Sequence, residues 1–398
     1  MSERALIVLG AVGLPALALG LHHDTGHLGD IEFFHEWYLA FREGAGFYRD
    51  GPGLNYPILG VLLVCLPAWL VEGSAALELP QYALVLKTTL ALSECALILA
   101  LASLLRRVGV RARWALAIYL CPSTWAPGAW FGQIDVCTSL ALVIAFIGVL
   151  DYRREPEPES LALALGGTWC ALLIKQLAWF TLPALAIGIA LGLRRAPRSH
   201  LAAALASALV LVAADPFVEL PAGWHSHLLW VWFGGGSSHA DFIVAGGASM
   251  WSLVADVNVS AHAWRVGLSA HQWGLLLFAL AQVPLWIALR HDGDLLRYGA
   301  LCNLLMCVVL TGVHERYFVH GSLLLLVAGF AQPRWKRVSG WVVCAWWGLY
   351  VLASLHFDAF SGWPFRSHVP TALLLVALAI VHLAPSSMPG VSPRSAEA

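Results

Sequence analysis

Four sets of ionisable and polar residues stand inside a 398-residue chain that is otherwise apolar, and their types suggest one kind of chemistry. Asp30, Glu32 and Trp37, followed by Asn55 and Tyr56, form the first set. Lys87 and Glu94 form the second; two helical turns apart, they share a face and can partner that first set or each other. Gln133 and Asp135, together with Lys175 and Gln176, form the third, and His314, Glu315 and Arg316 the fourth. An ionisable residue at membrane depth is costly, so each set is a candidate functional site. A loop carboxylate such as Asp30 suits a general base that takes a proton from a hydroxyl. Arg316 can grip a phosphate bidentately while Lys175 acts as a point charge. A base facing a phosphate leaving group reads as group transfer from a lipid-linked phosphate. Taken singly, each pair also fits a satisfied ion pair or a helix end, and the residue types leave both readings open.

The elements that must position these residues are membrane helices. The chain is 59% hydrophobic and only 12% charged, with a mean hydropathy of +0.73; a soluble domain carries about 25% charged residues. Apolar runs of about 20 residues recur along it, as spanning helices require. The expectation is an all-α polytopic membrane protein of about 11–13 transmembrane helices, forming a single domain over residues 1–385, with a disordered cytoplasmic tail over 386–398. Residues 22–57 are a first external loop and 215–264 a second. Arginine clusters at 106–113, 153–154, 194–198, 290–297 and 334–337, placed inside by the positive-inside rule, put all four polar sets on the outer face. One difficulty of parity follows. If Tyr56 to Val71 and Tyr82 to Leu105 both cross, Arg106 falls outside; either the proline-broken first segment is re-entrant or the Arg106 cluster is external. Asp24 with His22, His23 and His27 has zinc-ligand types, but histidines on a loop read more simply as solvated, and no metal is expected. The eight cysteines lie in apolar runs without a C-x-x-C pair and read as small core residues. No basic patch with interleaved aromatics points to nucleic acid.

Six short motifs in a fixed order carry a resemblance: Gly29-Asp30-x-Glu32 with Trp37, Leu54-Asn55-Tyr56-Pro57, Lys87-Thr88-Thr89 with Glu94, Phe131-Gly132-Gln133, Lys175-Gln176 with Pro183, and Val313-His314-Glu315-Arg316. Over residues 5 to 330 the chain resembles the GT-C glycosyltransferases, being most similar to the dolichyl-phosphate-glucose-dependent glucosyltransferases of N-glycan assembly and to bacterial polyprenyl-phosphate-sugar-dependent relatives, mannosyltransferases among them. The resemblance implies a GT-C-type bundle with a functional first external loop. It also implies an inverting transfer in which Asp30 is the base and the donor phosphate lies near His314 and Arg316, with Lys175 proposed beside them. Glu32, Trp37, Asn55, Tyr56, Lys87, Glu94, Gln133, Asp135, Gln176 and Glu315 would line the substrate pocket. Asn55 and Ile58 stand where the family has an acid and a second proline. The implied partners are a polyprenyl-phosphate-sugar donor, a lipid-linked glycan or glycolipid acceptor and membrane lipids; no cofactor is expected. The arginine bias points to a bacterial plasma membrane rather than the endoplasmic reticulum. A transporter or lipid-linked-sugar flippase is the competing expectation, because polytopic proteins with buried charge pairs often move substrates.

Overall fold

The computed structural model describes residues 2–24, 28–44, 56–213, 249, 251, 260–262, 265–289, 294–310, 317–356 and 374–377. Among them, five helices are long and apolar enough to cross a membrane, and five shorter apolar helices of 10–17 residues accompany them. The only strands among the described residues are the two-residue β1 (Arg265–Val266) and β2 (Leu268–Ser269), a ribbon that turns at Gly267, whose φ of 74° suits glycine. The next helix begins at Ala270, directly after this ribbon.

Around an apolar core this fold also buries charged side chains and leaves large apolar ones exposed. Lys87, Glu94, Gln133, Asp135 and Lys175 are buried, whereas Leu92, Leu205, Leu209, Val210 and Leu280 lie exposed. Water around such a surface would be unfavourable, and a lipid environment makes it the stable arrangement. The chain is accordingly an all-α membrane protein with several apolar helices.

A close-packed hairpin forms its centre. Helix α7 (Asp135–Arg154) turns through Pro156 and Pro158 into α8 (Pro158–Ile174). Small residues let the two backbones touch: a Cβ on Gly148 would lie 2.3 Å from Ala164 N, and one on Gly167 would lie 2.6 Å from Ala145 N. Without a hydrophobic drive between helices in lipid, such close approach is the main source of association. The hairpin's closed end is held by Arg107, at the end of α4 (Leu79–Arg107), whose Nε donates to both Asp151 carboxylate oxygens at 2.9 and 2.8 Å. Glu3, in the first turn of α1 (Glu3–His22), accepts from the backbone N–H of Arg113 at 3.1 Å. These contacts gather one set of helix ends on a basic face.

On the opposite face the parity question is resolved. Helix α3 (Ile58–Val71) starts where Gly60 lies against the Ile174 carbonyl, a Cβ there falling 2.2 Å from the oxygen. It ends at Glu72, which pairs with Arg42 at 3.1 Å and accepts from the Tyr38 hydroxyl, both on α2 (Leu28–Glu43). The Tyr82 hydroxyl, near the start of α4, reaches the Val64 carbonyl at 3.1 Å. Both ends of α3 therefore lie away from the basic face, and α3 does not cross. From Lys87, level with the end of α1, to Arg107, α4 rises about 30 Å, about the thickness of the hydrocarbon core. Its first turns extend beyond that span and pack with α2 and α3.

The apolar stretch from Trp114 to Phe131 is not one helix but α5 (Trp114–Tyr119), α6 (Pro122–Trp125) and a π-helical turn, Ala126–Trp130. Pro122 and Pro127 remove backbone donors, and Gly128 takes a non-helical ψ of −116°. A second break follows α8, where Lys175 is extended before a 3₁₀ turn, Gln176–Thr181, leads into α9 (Leu182–Leu193). Helix α10 (Arg198–Ala213) comes next, followed by α11 (Ala270–Leu289), α12 (Leu295–Val309), α13 (Val319–Phe330) and α14 (Arg334–His356). The tail over 386–398 and most of the second loop over 215–264 lie outside the described residues.

Candidate functional site

The open end of the α7–α8 hairpin carries the polar centre. Asp135 opens α7 and Lys175 follows α8, so zipping the hairpin brings together two residues forty positions apart in sequence: Lys175 Nζ lies 2.8 Å from Asp135 Oδ2, both side chains buried. The other carboxylate oxygen faces His320 Nε2 at 3.8 Å. His320, in the first turn of α13, also contacts Ser139 Oγ through Nδ1 at 2.9 Å. Ser139 sits one turn below Asp135, so α7 contributes both anchors and α13 the imidazole.

The break after α8 sets the direction of Lys175, whose ammonium lies 5.3 Å from the centre of the Tyr56 ring. The Tyr56 hydroxyl donates to Gln133 Oε1 at 3.1 Å, and its ring meets Trp37 edge-on at 5.3 Å and Phe34 at 5.8 Å. Trp37 and Phe34 are buried, whereas Glu32 is exposed, the division an amphipathic helix makes between its two faces. Ile31 of α2 is seated on Gly132, where a Cβ would come within 3.1 Å of it; Gly132 has a φ of 88° and has room only as glycine. This contact brings Asp30, in the first turn of α2, beside the Phe131–Gly132–Gln133 segment. Asp30 is half-buried. At the far end of α2, burial and then the Glu72 carboxylate hold the Tyr38 pKa above its ordinary value, keeping that hydroxyl a donor.

Gln133 Nε2 and Thr138 Oγ1 are buried with no hydrogen-bond partner among the described residues, and Asp135 Oδ1 and His320 Nε2 face each other beyond hydrogen-bond distance. Buried polar groups in folded proteins are nearly all satisfied, so this cluster has spare capacity for a polar ligand.

The structure thus unites Trp37, Tyr56, Gln133, Asp135 and Lys175, with Asp30 next to them. Lys175, expected beside a donor phosphate, is here paired with Asp135. Gln176, the residue after it, begins the 3₁₀ turn. Lys87 and Glu94 also contact neighbouring elements. Lys87 donates to the His22 carbonyl at 2.5 Å, and Glu94 accepts from the Tyr119 hydroxyl at 2.5 Å while its carboxylate covers Gly128. Both tie α4 to its neighbours. Glu32 is exposed. Asn55, His314, Glu315 and Arg316 lie outside the described residues, as does His27 of the loop cluster. Among the described residues no group of three or more His, Cys, Asp or Glu could hold a metal ion. Sequence reasoning missed His320 and Ser139; the signal was a histidine in the apolar stretch Val319–Phe330, where a titratable group is unusual.

Comparison with protein-family models gives no match to this chain, and a search of curated proteins gives none either.

Proposed function

We propose that the protein is an integral-membrane inverting glycosyltransferase of GT-C type. It moves a hexose, mannose or glucose, from a polyprenyl-phosphate-linked donor to a lipid-linked glycan or glycolipid. The observation that carries this reading is the seating of α2. Through Ile31 on Gly132, the first-loop helix delivers the Asp30 carboxylate to the rim of a buried cluster that has unsatisfied polar atoms. Those atoms fit hydroxyl groups, which both donate and accept.

In the proposed reaction an acceptor hydroxyl gives its proton to Asp30 as its oxygen attacks the anomeric carbon of the donor sugar. The bond from that carbon to the phosphate oxygen breaks with inversion, and polyprenyl phosphate leaves with the electron pair. His314 and Arg316, with Lys175 beside them, would meet the phosphate charge. Tyr56 and Trp37 pack beside Gln133, and the Lys175–Asp135 pair holds the floor.

A transport reading draws on one observation, the helix breaks at Ala126–Trp130 and Lys175 on either side of a buried ion pair. Incubating membranes that contain the protein with labelled polyprenyl-phosphate-mannose or polyprenyl-phosphate-glucose separates the two. Label incorporated into an extracted acceptor supports transfer. Labelled donor crossing proteoliposomes unchanged, without incorporation, supports transport.

A further inference from the structure

A groove on the basic face, remote from the polar centre, has a composition of its own. It has a volume of about 460 Å³ and lies between α5, the end of α13 and the first turns of α14. Trp114, Phe330, Trp341 and Val342 form apolar walls, and Arg334 and Arg337 stand at its edge. Arg337 lies over the Phe330 ring, its Cζ 5.7 Å from the centre, and Arg113 lies over Trp114 at 5.9 Å. No carboxylate among the described residues pairs with Arg113, Arg334 or Arg337, in contrast to Arg107 nearby in sequence.

The charge is also placed against the helix. Helix α14 begins Arg334-Trp335-Lys336-Arg337 and has no acid in its first turn. The start of a helix carries partial positive charge and favours anions, so two unpaired arginines there raise a potential that an anion would relieve. A soluble anion would use the charge and leave the apolar wall unused. A lipid with a charged headgroup uses both, its phosphate meeting the guanidiniums and an acyl chain covering Trp341 and Val342.

We propose that this groove binds an anionic glycerophospholipid of the surrounding bilayer, with the phosphate between Arg334 and Arg337 and one acyl chain along Trp341 and Val342. The site is independent of the transfer reading, since it lies on the other face from Asp30 and needs no sugar.

The test uses the full-length protein in a neutral detergent, titrated with dioleoyl phosphatidylglycerol, dioleoyl phosphatidylcholine or inorganic phosphate, with retained lipid counted by native mass spectrometry and unfolding temperature followed in parallel. Expected are saturable retention of phosphatidylglycerol and a raised unfolding temperature, with neither effect from phosphatidylcholine or phosphate. Arg334→Gln with Arg337→Gln should weaken retention by about tenfold or more, the share of two interfacial cations. Val342→Trp, which fills the groove and leaves the charge intact, should also abolish it. Equal retention of the two lipids by the unaltered protein overturns the proposal, as does a response to phosphate matching that to phosphatidylglycerol. Unchanged phosphatidylglycerol retention in both variants overturns it too.

Discussion

Lys175 Nζ and Asp135 Oδ2 lie 2.8 Å apart, and neither side chain reaches solvent. The pair closes the open end of a helix hairpin whose backbones meet through Gly148 and Gly167. A buried ion pair is roughly neutral compared with a well-packed apolar substitute, because desolvation offsets the attraction; losing one partner strands the other charge.

Lys175→Met should therefore destabilise the protein by about 3–5 kcal/mol, seen as a large drop in unfolding temperature in detergent. The double variant Lys175→Met with Asp135→Asn should recover much of that loss. If the single variant unfolds like the unaltered protein, the pair is not buried as described.

Glycine contacts should sort by what a methyl group would strike. Gly60→Ala and Gly148→Ala direct a Cβ to within 2.2 and 2.3 Å of backbone atoms of Ile174 and Ala164, whereas Gly13→Ala meets nothing within 4 Å. Overpacking of the first two kinds costs about 1–3 kcal/mol or more. Gly13→Ala, within α1, should be neutral or slightly stabilising, since alanine is the better helix former. Thermal unfolding of the three variants side by side decides it, and equal losses at all three would count against the packing.

Tyr56→Phe keeps the ring that meets Trp37 and Lys175 but removes the donor to Gln133 Oε1, leaving a second buried amide atom unsatisfied. The expected cost is about 1–3 kcal/mol. Replacing Gln133 by Leu in the same background should restore part of it, and a strictly additive second loss would show that the two side chains do not interact.

Asp151→Asn should matter far less. Arg107 and Asp151 are 28% and 29% exposed, and pairs this accessible are worth about 0.2–1 kcal/mol and weaken with salt. A loss above about 2 kcal/mol would mean that this clamp is closed off from solvent.

Much of the polar centre was legible because ionisable residues stand out in an apolar chain: Asp135, Lys175 and Gln133 were visible by type alone. Pairing was not. Lys87 and Glu94 share a helix face, yet Lys87 reaches the end of α1 and Glu94 reaches Tyr119, because neighbouring helices approach at different heights. His320 read as one polar residue in an apolar run, since its contacts Ser139 and Asp135 lie far away in sequence and on another helix. Hydropathy revealed the membrane class but not the path of two segments. The stretch from Tyr56 to Val71 is apolar enough to cross and does not. The stretch from Trp114 to Phe131 runs from the basic face to the opposite one without forming a single helix, because its prolines and Gly128 break it. Hydropathy averages composition over a window and carries no information about where a chain doubles back.

The central claim is that Asp30 removes a proton during sugar transfer. Its most direct test compares the initial rate of label transfer from polyprenyl-phosphate-mannose or polyprenyl-phosphate-glucose for the unaltered protein and for Asp30→Asn, at equal membrane abundance and with donor binding measured in the same membranes. A positioned general base contributes about 10²- to 10⁴-fold, so the variant should fall by that factor while donor binding stays within a few-fold. Transfer at an undiminished rate by Asp30→Asn would contradict the account.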